Sequence, residues 1–135
     1  MAEKTIRCKL ITPEDRVFDA PVTYAQVPLW DGNAGFMHDT GAVVGKLGYG
    51  ELRLNLPDGG NKSWFIASGF MQNVGNELTI LAAGATAREE MNLDEARAEL
   101  AEAVARKPQD LIERKRVDED AARARGKITM LSSKR

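Results

Sequence analysis

Apolar and polar residues alternate through much of the first 85 positions. Ile6, Cys8 and Leu10 alternate with Arg7 and Lys9, the period-two pattern of a half-buried strand. Pro13-Glu14-Asp15 marks a turn, and Val22, Tyr24 and Gln26 then alternate with Thr23, Ala25 and Val27, which predicts another strand. Leu52, Leu54 and Leu56 against Glu51, Arg53 and Asn55 form the clearest strand pattern in the chain. Pro57-Asp58-Gly59-Gly60 follows it, a turn whose glycines tolerate the positive φ of a hairpin. Residues 62–67 form the return strand, with Trp64 and Ile66 on one face, and Gly75-Asn76 separates two further short strands. Turn signals recur roughly every 8 to 12 residues, the spacing of an antiparallel sandwich or barrel. Between positions 30 and 50 the alternation weakens. Asp31, Gly32, Asn33, Gly35, Gly41, Gly45 and Gly48 predict long loops there, around a short buried segment at Val43 and Val44.

After position 88 the period changes from two to that of a helix. Asn92 is an N-cap, Glu95 follows three residues later, and the acidic pair Asp94 and Glu95 complements the helix dipole. Leu93, Ala96, Leu100 and Ala103 then form one apolar face. Lys107-Pro108-Gln109 breaks that helix, and a second is predicted from about Gln109 to Met130. Its seam is Val117, Ala121, Ala124, Ile128 and Leu131. Two alanine-rich faces allow close antiparallel packing. Whether those faces pack only on each other and the β half, or are reused against a partner, stays open on the pattern alone. The fold class read from the chain is an N-terminal antiparallel β-sandwich (1–87) followed by a C-terminal antiparallel two-helix hairpin (88–135). Gly126 inside the second helix counts against that helix by about 1 kcal/mol.

Composition narrows the function. All eight aromatic residues precede position 71. A net charge of -1 excludes a generally basic nucleic-acid binder. A single cysteine, Cys8, and a single histidine, His38, exclude a disulfide framework, Cys-cluster metal sites and multi-histidine zinc sites. No apolar run approaches the 18 or so residues of a membrane span, and the start carries no apolar signal-peptide core, so a soluble cytoplasmic chain is expected. Gly41-Ala42-Val43-Val44-Gly45-Lys46-Leu47 is one residue short of a phosphate loop and lacks its Ser or Thr. Asp118-Glu119-Asp120 points in different directions around a helix, so it reads as a solvated face. His38 beside Asp39 has no nucleophile near it in sequence, Asn61-Lys62-Ser63 matters only for a secreted chain, and Cys8 reads as core. No catalytic residue and no metal site is expected.

Five segments carry a resemblance. They are Leu10-Ile11-Thr12-Pro13-Glu14 with Val17-Phe18; Asp31-Gly32-Asn33-Ala34-Gly35-Phe36; Leu47-Gly48-Tyr49-Gly50-Glu51-Leu52-Arg53-Leu54; Ser68-Gly69-Phe70-Met71-Gln72-Asn73-Val74 running on to Leu78-Thr79-Ile80-Leu81-Ala82; and Leu93-Asp94-Glu95-Ala96-Arg97-Ala98. In this order the chain resembles the epsilon subunit of bacterial F-type ATP synthase over essentially its whole length. The resemblance implies a ten-stranded sandwich with a helical hairpin. It implies a non-catalytic rotor subunit of the central stalk, between the gamma subunit and the c-subunit ring. The hairpin in that family blocks ATP hydrolysis in some members, by extending toward the alpha and beta catalytic subunits, and binds ATP in others. The implied location is the cytoplasmic face of the bacterial plasma membrane, peripheral through the complex, with no nucleic-acid partner.

Site residues follow from the same resemblance. Asp31, Asn33, Met37 and His38 fall in the loop facing the c ring, with Trp30, Phe36 and Met37 as apolar anchors. Leu93, Asp94, Arg97, Ala98 and Arg123 correspond to an ATP site, Arg97 and Arg123 meeting phosphate. Arg123, Arg125 and Lys127 correspond to inhibitory contacts. No cofactor is required, and weak regulatory ATP is the one allowed. The chain also departs from the family. His38-Asp39-Thr40-Gly41-Ala42 stands where the family reads Pro-Gly-His-Ala-Pro, the family's acidic loop position falls at Asn33, and its second helix-one arginine falls at Val104. The alternative reading is a free-standing β-sandwich binding module with a helical oligomerisation tail, using Trp30 and Trp64 as stacking platforms for a carbohydrate. A small hydrolase is disfavoured, because no acid/base pair is placed by the sequence.

Overall fold

A computed structural model describes residues 4–132. The strands are β1 (Ile6–Ile11), β2 (Arg16–Val22), β3 (Tyr24–Leu29), β4 (Gly32–Phe36), β5 (Val43–Asn55), β6 (Asn61–Val74), β7 (Glu77–Ala82) and β8 (Ala85–Ala87). A single 3-10 turn at Arg88–Glu90 leads to helices α1 (Leu93–Ala105) and α2 (Leu111–Ser132). Hydrogen bonding runs in the order β2-β1-β7-β6-β5-β3-β4, with β8 continuing β7's side of β6. Every pairing is antiparallel except β1 with β7.

This sheet closes over one core. Ile6, Cys8 and Leu10 of β1, Leu78 and Ile80 of β7, Leu52 and Leu54 of β5, and Trp64, Ile66 and Met71 of β6 are all buried in it. The rings of Phe18 and Trp64 meet edge to face at 5.5 Å, although β2 and β6 are not neighbours in the sheet, so the two layers face each other there. The fold is therefore the expected β-sandwich followed by two helices. It has eight strands among the described residues rather than ten, because β5 and β6 each run unbroken through both layers. They bend together at Ser68 (φ 64°) and Gly69 (φ 127°). A Cβ on Gly69 would collide with the Leu81 carbonyl oxygen, so only glycine fits.

Two expectations change. The single strand read over 22–27 divides at Thr23, β2 ending at Val22 and β3 beginning at Tyr24. The long loops expected over 30–50 are largely strand, as β4 and the first half of β5, and Val44 is 75 % exposed rather than buried. Gly32, with a φ of 134°, does sit at the β3–β4 turn, but Gly48 and Gly50 mark close approach instead of turns. A Cβ on Gly48 would sit 3.0 Å from the Leu29 carbonyl oxygen, and one on Gly50 would sit 3.0 Å from Pro28 Cβ.

In the hairpin, Asn92 Oδ1 accepts from the Glu95 amide at 3.1 Å, as its spacing predicts. Helix α2 starts two residues later than expected because Asp110 caps it. The Asp110 carboxylate accepts from the Glu113 amide at 2.8 Å, and the Glu113 carboxylate accepts from the Gln109 amide at 2.7 Å. Ala96 and Ala103 of α1 and Ala121, Ala124 and Met130 of α2 are buried. Helix α2 also lies on the outer side of the sandwich. Phe65, next to inward-pointing Trp64, is covered there to 1 % exposure. Gly126 allows this contact, since a Cβ in its place would stand 2.9 Å from Phe65 Cε1 and 3.1 Å from the Tyr49 carbonyl oxygen. The glycine that counts against the helix in isolation is a notch for docking it.

Candidate functional site

Three surfaces carry the candidate residues. The first is formed by the two ends of β4. Asp31 lies in the β3–β4 turn beside Trp30, and Asn33 is exposed on β4. Met37 and His38 lie past the other end of β4, about 20 Å from Asp31 at 3.3 Å per residue. The structure therefore divides these four residues into two pairs. The second pair is held by its own loop. The Thr40 hydroxyl donates to the Met37 carbonyl oxygen at 2.8 Å, the Asp39 amide donates to Asn76 Oδ1 at 2.8 Å, and buried Asn73 Nδ2 donates to the Gly41 carbonyl oxygen at 3.2 Å. His38 Nδ1 lies 3.2 Å from Asp39 Oδ2. Phe36 is buried, so of the three anchors only Trp30 and Met37 are available to a partner.

The second surface escaped the sequence reading. Lys46, Phe70, Leu81 and Ile11 stand side by side across β5, β6, β7 and β1. Phe70 is 62 % exposed and Leu81 52 %, with Val44 on β5 and Val74 at the end of β6 also exposed. Ion pairs border the patch, Lys9 with Glu77 at 2.8 Å and Arg7 with Asp19 at 2.6 Å. The Arg7 guanidinium, hydrogen-bonded to it, holds the Asp19 carboxyl below the usual carboxylate range. An apolar patch with a polar rim is the form of a protein-binding face. The available signal was Phe70 beside Met71, two large apolar residues in adjacent positions that must face opposite sides of a strand.

The third surface is the hairpin. A groove of about 630 Å³ is lined by Glu95, Ala98, Glu99, Glu102, Arg106, Asp120 and Arg123. Arg106 bridges the helices, at 2.7 Å to Asp120 and 3.0 Å to Glu102 of its own helix. Arg123 lies 3.2 Å from Asp120, and its guanidinium carbon lies 5.8 Å from the Tyr49 ring centre. Lys127 pairs with Glu99 at 3.1 Å and lies 5.9 Å from the Phe65 ring centre. The hydrogen bond from Arg106 is the main cause holding the Asp120 carboxyl below its ordinary range. Of the five residues corresponding to an ATP site, the groove brings together Ala98 and Arg123. Leu93 is half-buried at the start of α1 and Asp94 is exposed beside it. Arg97, about 200° around the helix from Glu99, leaves α1 on the other flank. The groove's carboxylates outnumber its two guanidinium groups, and both of those are already paired. Arg125 is exposed and turns toward a different cleft, beside Trp30. Among the described residues no group of His, Cys, Asp and Glu converges to hold a metal ion. Trp64, buried against Phe18, offers no stacking platform.

Residues 5–88 match the family model described as ATP synthase, Delta/Epsilon chain, beta-sandwich domain. The ATP synthase epsilon chain of Rhodopirellula baltica is 32% identical over 125 residues, covering 92% of this chain and 96% of that one. The epsilon chain of Pelotomaculum thermopropionicum is 32% identical over 101 residues, covering 75% and 73%. The fold matches a chain in the cryo-EM structure of the Euglena gracilis mitochondrial ATP synthase OSCP/F1/c-ring, with a TM-score of 0.83 at 19% identity, covering 93% of this chain and 81% of that one. It also matches a chain of the Tetrahymena thermophila mitochondrial ATP synthase central stalk and c ring, with a TM-score of 0.71 at 13% identity, covering 98% and 100%.

Proposed function

Because the chain belongs to the ATP synthase delta/epsilon family, as a non-catalytic epsilon-type subunit of the central stalk, we propose that its sandwich joins the gamma subunit to the c ring. The family displaces the free-standing sugar-binding module. The observation that carries the proposal is the exposed apolar row on the outer layer, Phe70 and Leu81 with Val44 and Val74 beside them. That face is assigned to gamma. The β3–β4 turn, with Trp30, Asp31 and Asn33, is assigned to the c ring, and Met37 and His38 form a separate edge contact. Loops on a rigid scaffold suit that role. The subunit is membrane-associated through its complex, and no described helix is long and apolar enough to cross a membrane. The cytoplasmic face of the bacterial plasma membrane is the proposed location. Residues 1–87 act as the assembly domain and 88–135 as the regulatory hairpin.

The test is co-assembly. Phe70→Asp with Leu81→Asp places two charges on the outer face and leaves the core untouched. This variant is expected to fold, and to lose gamma in a pull-down from reconstituted complex. Retention of gamma at the native level overturns the assignment.

For the hairpin we propose a movable brake on ATP hydrolysis, reaching the alpha and beta subunits when extended. Exposed Leu111 and Ile112, close to Arg114, Lys115 and Arg116 at the start of α2, support this. A regulatory nucleotide, with no other cofactor, is the remaining proposal, and the split between Arg97 and Arg123 argues for weak binding. Calorimetry with ATP on the full chain is expected to give a Kd weaker than about 10 μM, roughly -7 kcal/mol. A tighter constant overturns that ranking.

A further inference from the structure

A recess of about 570 Å³ opens at the end of the sandwich where the β2–β3 link meets the β5–β6 turn. Two cations from different parts of the chain line it, Lys4 ahead of β1 and Arg53 near the end of β5, and no acidic residue does. Neither cation is in an ion pair among the described residues. Arg53 stands on the opposite side of β5 from buried Leu52 and Leu54. Its Nε is sheltered from solvent and meets no hydrogen-bond partner among the described residues. Nearly every sheltered donor in a folded protein has an acceptor, so a charged one without any suits an anion from outside the chain. Thr23, Asn55 and Asn61 complete the polar lining. The fold holds them in place. The Thr23 amide donates to the Asn55 carbonyl oxygen at 2.9 Å, and Asn55 stands opposite Asn61 across β5 and β6. The turn between those strands closes on itself. The Leu56 amide donates to the Gly60 carbonyl oxygen at 2.8 Å, and the carboxylate of Asp58 accepts from the Gly60 amide at 2.8 Å, outside the lining.

We propose that this recess binds a phosphate group. Its lining carries two positive charges and no negative one, which matches the charge of a phosphate dianion. The Arg53 Nε–H is one prong of a planar fork, and that fork fits two phosphate oxygens at once. Lys4 supplies a point charge, and the Thr23 hydroxyl and the Asn55 and Asn61 amides supply donors for the remaining oxygens. A carboxylate, with two oxygens in one plane and a single charge, would use fewer of these groups. No aromatic residue lines the recess, so a nucleobase finds no ring to stack on. The ligand is therefore inorganic phosphate or the phosphate ester of a small polar molecule. The recess lies at the far end of β3 from Trp30 and shares no residue with the Phe70 row or the hairpin. The proposal thus stands whether or not those surfaces take the partners assigned to them. A phosphate held there ties the start of the chain, the β2–β3 link and the β5–β6 turn together, and binding to the folded state alone stabilises it.

Inorganic phosphate titrated into the isotope-labelled full chain at constant ionic strength tests the site by NMR, with glycerol phosphate as a second arm. Saturable shifts are expected at the amides of Thr23, Asn55, Gly59 and Asn61 and at the Arg53 Nε–H, with a Kd in about the millimolar range. Arg53→Lys keeps the charge and removes the Nε–H, and should weaken binding about tenfold, the loss of a charge-assisted hydrogen bond. Lys4→Ala, at an exposed position, should weaken it by about the same factor. Lys107→Ala removes an exposed cation elsewhere and should leave binding unchanged. Melting in phosphate-free buffer checks that each variant folds, and Lys4→Ala carries the test alone if Arg53→Lys does not. Tighter binding of glycerol phosphate identifies an ester as the ligand, and tighter binding of inorganic phosphate identifies the free ion; either result supports the site. A flat or unsaturated titration overturns it, as do shifts centred on other residues or reproduced by chloride. Binding unaltered in every folded variant also overturns it.

Discussion

At Gly126 one hydrogen in place of a methyl group sets how closely α2 approaches the sheet. Gly→Ala inside an exposed helix ordinarily stabilises it by about 1 kcal/mol. Here the added carbon meets the Phe65 ring and the Tyr49 carbonyl oxygen, and overpacking of this kind costs about 1–3 kcal/mol. Gly126→Ala is therefore expected to keep the helical content of α2 while loosening its docking, read as faster tryptic cleavage beside Lys127. Unchanged cleavage would refute the notch. Asp120 gives a pH prediction. Hydrogen bonding from Arg106 lowers its folded-state pKa, so its stabilising contribution is present above the unfolded value of about 3.9 and is lost as pH falls through the lower folded one. NMR of the Arg106 Nη2 protons, which donate to Asp120 Oδ2, should show the α1–α2 bridge constant from about pH 5 to 8 and released only below about pH 4. Asp120→Asn should abolish that acid step. Cys8 takes part in none of this, because burial pushes its thiol up to about 12 and keeps it neutral.

Among the elements, α2 uses its cations in two ways. Arg123 and Lys127 each join a carboxylate of the hairpin to an aromatic ring of the sandwich, so the docked hairpin occupies them. Neutralising either one weakens docking as well as any contact with a catalytic subunit. Arg125 has no part in these contacts. Arg123→Ala and Lys127→Ala should both increase tryptic sensitivity of the free chain, and Arg125→Ala should leave it unchanged. An equal response from all three would show that these pairs do not hold the hairpin. The elements also differ in how openly the sequence declares them. The alternation at Leu52, Leu54 and Leu56 and the cap at Asn92 are local signals, and local signals suffice for β5's second half and for α1. The first half of β5 is held by its partner strands, with glycines where Leu29 and Pro28 press close, so local reading takes it for loop. Phe70 and Leu81 were hidden for a related reason. A surface meant for a partner is apolar like the core, and period-two reading fails where both faces of a strand are apolar. The separation of Arg97 from Arg123 depends on how two helices are rotated against each other, which spacing along either helix does not encode.

The whole molecule is a sandwich with a helical cover. Truncation after Arg88 leaves the core of Ile6, Leu10, Leu54, Ile66 and Ile80 intact but uncovers Phe65 and removes the Met130 carbonyl oxygen to which Arg88 donates at 2.7 Å. The truncated chain should still fold and assemble with the stalk, with a greater tendency to aggregate that Phe65→Ser relieves. The rebuilt complex should hydrolyse ATP faster than the intact one. Equal rates would mean that the hairpin is no brake. Strands β5 and β6 pass from one layer to the other without interruption, and this matters for a part that turns. If the Phe70 face meets gamma as proposed, a torque delivered there would reach Tyr49 and Phe65 beneath α2 along covalent backbone and its ladder of hydrogen bonds. Side-chain packing between layers, which yields under shear, is bypassed. One continuous hydrogen-bonded pair of strands thus ties the two layers together, and its bend falls at Ser68 and Gly69.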